Sequence, residues 1–386
     1  MVGVAERLKP KILYLVTEDW YFCSHRLPIA RAARDAGCEV VVATRVQKHG
    51  ESILREGFRL SPIGMRRRGK NPWFELQAVR ELKRIYQLEQ PDLVHNVALK
   101  PVLYGSLAAR FARVPSIVNA LAGLGYVFSS RNWKAALLRP FVQLGFRFFL
   151  NQPGSNVIVQ NPDDYQILLR GAGLPKKQMN LIRGSGVNVY RFRELSEPKG
   201  VPVVTMVSRM LWDKGVGEFV AAAQMLKQRG IKARFVMVGP RDQENPACVQ
   251  QDKLLEWQRK GVVEWWGQRD DIPTVWGNSH IAVLPSYREG LPKTLLEAAA
   301  CGRPIITTDT PGCREVVRNE ENGLLVPVRN PQALADAIQR LVENPDERYR
   351  MGQMGRSLVV EEFSESIVVQ KTLDVYRSLL GKQWPT

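Results

Sequence analysis

The sequence predicts an α/β protein made of two doubly wound, parallel-sheet domains, and three observations predict it. Short β-branched or apolar runs alternate with amphipathic stretches almost from end to end, which is the pattern of parallel strands joined by crossover helices. The alternation pauses once, at Arg183-Gly184-Ser185-Gly186-Val187-Asn188 and the polar stretch 191–200, and then restarts. Finally, 386 residues exceed what one core usually fills, since single cores stop growing near ~250–300 residues.

In the first half the strand candidates are 11–17, 39–44, 92–97, 116–121 and 156–161, with amphipathic stretches at 27–36 and 99–112 between them. In the second half they are 202–208, 233–239, 262–267, 281–286 and 304–309, with helical patterns at 215–229 and 292–301. The boundary is placed at the glycine-containing link, giving residues 1–188 and 189–364 as the two domains. Doubly wound domains bind ligands at the carboxyl ends of their strands, so two of them are expected to enclose a cleft there. A final helical run, 365–381, lies outside the second series, and residues 365–386 are expected to pack back on the first domain.

With 45% hydrophobic and 24% charged residues the chain is an ordinary globular protein rather than a disordered one. Cys23, Cys38, Cys248, Cys301 and Cys313 are scattered, with no C-x-x-C pair; zinc and a disulfide framework are not expected, and a reducing cytoplasm fits. The apolar run Ile12–Val16 ends in Thr17-Glu18-Asp19 without a cleavage site, so it reads as a first strand rather than a signal peptide. No uninterrupted run of ~18 apolar residues is present that would span a bilayer. The formal net charge is +17, and residues 1–190 carry 28 Lys+Arg against 13 Asp+Glu. No acidic residue occurs between Asp92 and Asp163, where seven basic ones do. The first half is built to face negative charge: nucleic acid, an anionic membrane surface or a phosphorylated substrate.

The strongest local signal runs from Pro285-Ser286-Tyr287-Arg288 through Glu289-Gly290-Leu291-Pro292-Lys293-Thr294-Leu295-Leu296-Glu297. It begins at a strand end, Gly290 permits a tight turn, and Pro292 suits a first helical turn. The exposed amides near Lys293, Thr294 and Leu295 would then suit a diphosphate. Carboxylates beside an anion site need a reason, and hydrogen bonds to sugar hydroxyls supply one: Glu297 for a ribose, Glu289 for a transferred sugar. The alternative is a helix-capping Glu289 and a solvated Glu297. Ser208-Arg209-Met210-Leu211-Trp212-Asp213-Lys214-Gly215 offers two cations at the mouth of a strand–loop–helix unit, Arg209 able to bind bidentately and Lys214 as a point charge. Read alone, it is an ordinary surface loop. Gly239 and Gly267 end their strands, where a flat base could approach the backbone or a simple turn form.

Arg209, Lys214, the E-G-L-P-K-T-L-L-E run and Asn322-Gly323-Leu324-Leu325-Val326 resemble the retaining GT-B glycosyltransferases of family 4, over most of the second domain. That resemblance implies two Rossmann-like domains facing across a cleft. It also implies diphosphate binding by Arg209 and Lys214, and ribose binding by Glu297. Gly239 and the Gly267–Gln268 turn would flank the base, and Glu289 with Gly290, Leu291, Pro292 and Lys293 would hold the donor sugar. The donor is expected to be a UDP-sugar. Asn96-x3-Lys100-Pro101, Gly123–Phe128 and Leu211–Phe219 are similar to bacterial transferases that add N-acetylgalactosamine or a related sugar to undecaprenyl-diphosphate-linked saccharides. This implies a lipid-linked saccharide acceptor in glycan assembly.

Two departures matter. The loop after strand one, Thr17–Arg26, is not glycine-rich, and Ala120-Leu121-Ala122 stands where many members carry a histidine. No histidine role carries over there; His25 and His95 are nearby alternatives, either catalytic or structural. Positioning and charge stabilisation on the departing phosphate would supply most of the acceleration in a front-face, retaining transfer. The leaving phosphate itself, with Asp19 as helper, would take the acceptor proton. No Asp-x-Asp pair occurs, so no metal and no cofactor are expected.

Arg66-Arg67-Arg68-Gly69-Lys70 precedes Asn71-Pro72-Trp73-Phe74, and basic residues interleave with aromatics again over 131–150. This suits an interfacial segment on anionic headgroups, or equally a core helix with Arg on its exposed face. Docking on the inner face of the cytoplasmic membrane is the expectation. A nucleic-acid binder leaves the Glu289/Glu297 motif unexplained, a sugar-nucleotide epimerase would share the donor site, and strand one lacks the G-x-G-x-x-G of a nicotinamide enzyme.

Overall fold

The computed structural model describes residues 9–66, 72–123 and 143–385. The chain divides into two compact units, residues 1–185 with 368–386, and residues 186–367.

The first unit holds a sheet of β1 (Lys11–Glu18), β2 (Glu39–Arg45), β3 (Arg59–Pro62), β4 (Leu93–Val97), β5 (Ser116–Leu121), β6 (Ser155–Val159) and β7 (Met179–Leu181). The strands are parallel in the order β3-β2-β1-β4-β5-β6-β7. All residues of β1 are buried, as a central strand covered on both faces requires. β3 and β7 go beyond the sequence expectation: Arg-Leu-Ser-Pro and Met-Asn-Leu are edge strands too short and polar to show an apolar run. The second sheet holds β8 (Val203–Val207), β9 (Arg234–Val238), β10 (Glu264–Trp265), β11 (Ile281–Leu284), β12 (Ile305–Thr308) and β13 (Gly323–Val326), in the order β10-β9-β8-β11-β12-β13. β11 stops at Leu284 rather than at 286 because Pro285 has no N–H for the ladder.

In each sheet the strand order reverses once, between β1 and β4 and between β8 and β11. Connections leave to opposite faces at such a point and open a crevice at the carboxyl ends. The second unit begins at Gly186, three residues ahead of the expected 189. Its entering and leaving segments are stitched together: Val187 N donates to Phe363 O at 3.0 Å and Glu365 N to Val187 O at 2.9 Å. Gly186 has φ +70°, and a Cβ there would lie 2.7 Å from Glu365 Cα, so glycine is required by space as well as conformation. The helix Glu365–Leu380 contributes Leu373, Val375, Tyr376 and Leu380 to a core shared with Tyr14, Phe22 and Val97 of the first unit. Among the described residues, no helix is long and apolar enough to cross a membrane.

Candidate active site

The reversal between β8 and β11 places two loops side by side in the second unit. Gly215 has φ +78° and its Cβ position lies 2.1 Å from Pro285 O, so only glycine lets the loop after β8 cross the end of β11. Asp213 O accepts from Tyr287 N at 2.9 Å and from Ser286 Oγ at 3.2 Å. The result is a direct ion pair from Lys214 Nζ to Glu289 Oε1, with both side chains largely buried. Arg209 begins the same loop but turns to the loop after β9, where its Nη1 bonds Asp242 Oδ2. Gly239 (φ +139°) makes that approach possible: its Cβ position is 1.9 Å from Ser208 O, and its N–H donates to Gly267 O at 2.7 Å. Thus Gly239 and Gly267 are neighbours. Gln268 beside them is exposed.

The helix Lys293–Ala300 starts one residue later than its pattern suggests, with Pro292 as its N-cap. The cap matters for the anion-site expectation. Leu295 N donates to Pro292 O at 3.1 Å, so that amide is already spent and is withdrawn as a ligand donor; the Leu295 side chain, like Leu291, is core. Lys293 and Thr294 remain in the first turn, and the Thr294 hydroxyl is buried without a hydrogen-bond partner among the described residues. Glu297, one turn on, has its pKa pushed up to about 7 by burial, against the opposing charges of Lys293 and Arg191. A half-buried carboxyl that desolvation makes easy to neutralise is a candidate for ligand contact. Gly290, Leu291 and Pro292 are buried, and their backbone lines the turn that leads into this helix.

Several contributors escaped the sequence reading. Gly312 (φ +79°) presses on the motif, its Cβ position 2.3 Å from Gly290 O and 2.8 Å from Glu289 O; the Pro311-Gly312 dipeptide after β12 was the available signal. Tyr287 donates to Glu218 Oε1 at 2.7 Å while Arg329 lies 4.6 Å over its ring, which braces the loop carrying Glu289. Asp242 has no local signature at all.

The first unit requires corrections. Asp19, expected to help with the acceptor proton, is fully buried. Its Oδ2 accepts from the amides of Gln47, Lys48 and His49 at 2.7–2.9 Å, and its Oδ1 from Trp20 N at 2.7 Å. Burial favours its neutral form, but the amides of His49, Gln47, Trp20 and Lys48 outweigh that and hold the pKa below the usual carboxylate value. A saturated carboxylate made more acidic is a poor base, so Asp19 anchors the 47–49 turn instead. His95 is buried, its Nδ1 paired with Tyr376 OH, and burial holds its pKa well below 6.5; it is a core group. His25 stacks on Tyr21 at 4.1 Å with Nδ1 2.6 Å from Ser24 Oγ. Asn96 is buried and bonds Asn119 at 2.9 Å, and Lys100 pairs with Glu75 at 2.8 Å. Arg67, Arg68, Gly69, Lys70 and Asn71, the Leu124–Phe128 motif and the segment 131–141 lie outside the described residues.

Comparison with known proteins identifies the family. Residues 11–153 match the family described as glycosyl transferase 4-like, and residues 191–358 the family described as glycosyl transferases group 1. The chain is 31% identical over 368 residues to the N,N'-diacetylbacillosaminyl-diphospho-undecaprenol alpha-1,3-N-acetylgalactosaminyltransferase of Campylobacter jejuni, covering 91% of this chain and 94% of that one. It is 25% identical over 315 residues to the UDP-Gal:alpha-D-GlcNAc-diphosphoundecaprenol alpha-1,3-galactosyltransferase of Escherichia coli, covering 78% and 79%. Among solved structures, Anabaena HepE in complex with UDP and glucose shares the fold, with a TM-score of 0.76, 19% identity and coverage of 96% and 100%. Its two parallel sheets, the motif at their second switch point and the full-length kinship together make this chain a glycosyltransferase of the GT-B fold, in the family that joins a 4-like N-terminal domain to a group 1 C-terminal domain.

Proposed function

We propose that this glycosyltransferase moves a sugar, an N-acetylhexosamine such as N-acetylgalactosamine, from a UDP-sugar to a polyprenyl-diphosphate-linked saccharide in bacterial glycan assembly. The observation that carries the donor half is the Lys214–Glu289 pair, set where the strand order reverses and beside the first turn of the Lys293–Ala300 helix. A cation, the start of a helix and a hydroxyl suit a diphosphate, while Glu289 and the desolvated Glu297 suit sugar hydroxyls. The acceptor half is supported by relatives whose names specify diphospho-undecaprenol acceptors.

The chemistry is a retaining displacement in which the protein does little covalent work. The alpha-1,3 products named for both relatives correspond to retention when the donor is itself α-linked. Lys214 and Arg209 stabilise the departing diphosphate, and that phosphate takes the proton of the incoming hydroxyl. No protein carboxylate is needed for that proton, which is consistent with Asp19 being otherwise engaged. With these cations in place the transfer is proposed to be metal-independent, and activity persisting in chelator is the expected outcome.

The test is a thermal-shift panel of UDP-, GDP- and ADP-sugars on the wild type, Arg209→Ala and Glu289→Ala. A rise in Tm with UDP-sugars that is reduced in both variants supports the donor site. Equal shifts for all three nucleotides, or shifts unchanged in both variants, would overturn it.

A further inference from the structure

Arg209 and Asp242 are 33 positions apart and belong to loops after different strands. Nevertheless, the two loops are bound into one piece. Met210 N donates to Pro240 O at 3.0 Å, Val249 N to Met210 O at 3.0 Å, and Trp212 N to Ala247 O at 2.8 Å. Leu211 forms a bridge with Cys248. Within the 240–250 loop, Asn245 N closes a turn on Asp242 O at 2.8 Å, and Arg241 Nε holds Val249 O at 3.1 Å. Asp242 is therefore presented by a braced backbone, its side chain only 12% exposed.

A guanidinium has five donors in a rigid fork. One terminal nitrogen of Arg209 bonds Asp242 while 31% of the side chain stays exposed. A long, rotamer-rich arginine facing solvent would otherwise lose conformational freedom each time it met an anion. A carboxylate fixed behind it removes that cost in advance.

We propose that Asp242 is a positioning residue for the donor: held by the 240–250 loop, it orients the Arg209 guanidinium so that this cation meets the nucleotide diphosphate already aimed. This deepens the donor-site reading above and rests on it. Asp242 itself does not touch the ligand.

Calorimetric titration with UDP tests the idea on Asp242→Ala, Asp242→Asn, Arg209→Ala and the Arg209→Ala/Asp242→Ala double variant, with the Tm of each ligand-free protein measured alongside. Asp242→Ala is expected to weaken UDP about tenfold, and to add nothing once Arg209 is gone, the coupling of a directly contacting pair. Asp242→Asn keeps an acceptor oxygen and is expected to recover most of the loss. Unchanged or tighter UDP binding in Asp242→Ala would overturn the proposal, because the carboxylate would then be idle or competing with phosphate. An equal loss in the Arg209→Ala background would overturn it too, by showing general damage to the loop. If Arg209→Ala alone leaves UDP affinity intact, the donor-site reading fails, and this proposal falls with it.

Discussion

Asp19 and Glu297 show how the fold assigns opposite characters to two carboxyls, one opening the helix directly after β1 and the other inside the helix Lys293–Ala300. Asp19 collects four backbone amides and stays ionised. Glu297 is desolvated, the charges of Lys293 and Arg191 offset this only in part, and its pKa rises to about 7. The sign of the consequence follows from proton linkage. Between its ordinary value of 4.5 and about 7, the folded state binds more protons here than the unfolded state, so this group makes stability fall as pH rises through that window. Glu297→Gln is expected to raise the stability of the ligand-free protein at pH 8 by ~1–3 kcal/mol, and to leave it nearly unchanged at pH 4.5. Denaturant unfolding at the two pH values checks this, and a variant less stable than the wild type at pH 8 would refute it. The same substitution is expected to weaken donor binding, the usual exchange of stability for function at a strained site.

Among elements, the helix Glu365–Leu380 illustrates how polar groups specify where a piece of chain docks. Its apolar residues alone would suit many surfaces, but Tyr376 OH must also satisfy Tyr14 OH, at 3.0 Å, and His95 Nδ1. Buried hydroxyls and imidazoles are expensive unless paired. Since burial keeps His95 neutral in the fold, the unfolded state takes up a proton first as pH falls below 6.5. The stability contributed by this docking is present above that value and is lost on acidification. Thermal melts of the wild type at pH 7.5 and pH 5.0 are expected to show a lower Tm at the acid value, with the difference reduced in His95→Asn. An undiminished difference in that variant would place the acid sensitivity elsewhere.

At the scale of the whole molecule, charge is the feature that sets the two halves apart. Residues 1–190 carry 28 basic against 13 acidic residues, whereas the chain totals 55 and 38. In the first unit the helix Pro72–Glu89 opens with Trp73 and Phe74, each more than 60% exposed, and Arg80 lies 6.0 Å over the Trp73 ring. Exposed aromatics beside cations are the chemistry of an anionic membrane interface, in keeping with the proposed lipid-linked acceptor. Vesicle flotation is expected to show binding to anionic but not neutral bilayers at low salt. Binding should drop about tenfold when Arg66, Arg67 and Arg68 are neutralised or when Trp73 and Phe74 become Ser, and should weaken at high salt. Absence of binding to anionic vesicles at low salt would remove the membrane-docking idea.

By itself the sequence determined the parallel α/β architecture, the position of the link near residue 186, and the loops after β8 and β11 as the donor candidate. Those features are local: apolar periodicity, a glycine in a corner and a proline at a helix start act within a few residues. Only the tertiary structure decided what each polar group does. Asp19 finds three of its four amides 28–30 positions away, Arg209 finds Asp242 across 33, and Lys214 finds Glu289 across 75. The edge strands β3 and β7 form only because neighbouring strands offer unpaired backbone. Hydrogen-bond partners and desolvation depend on which distant segments the sheet order brings together, and no local pattern of residues encodes that choice.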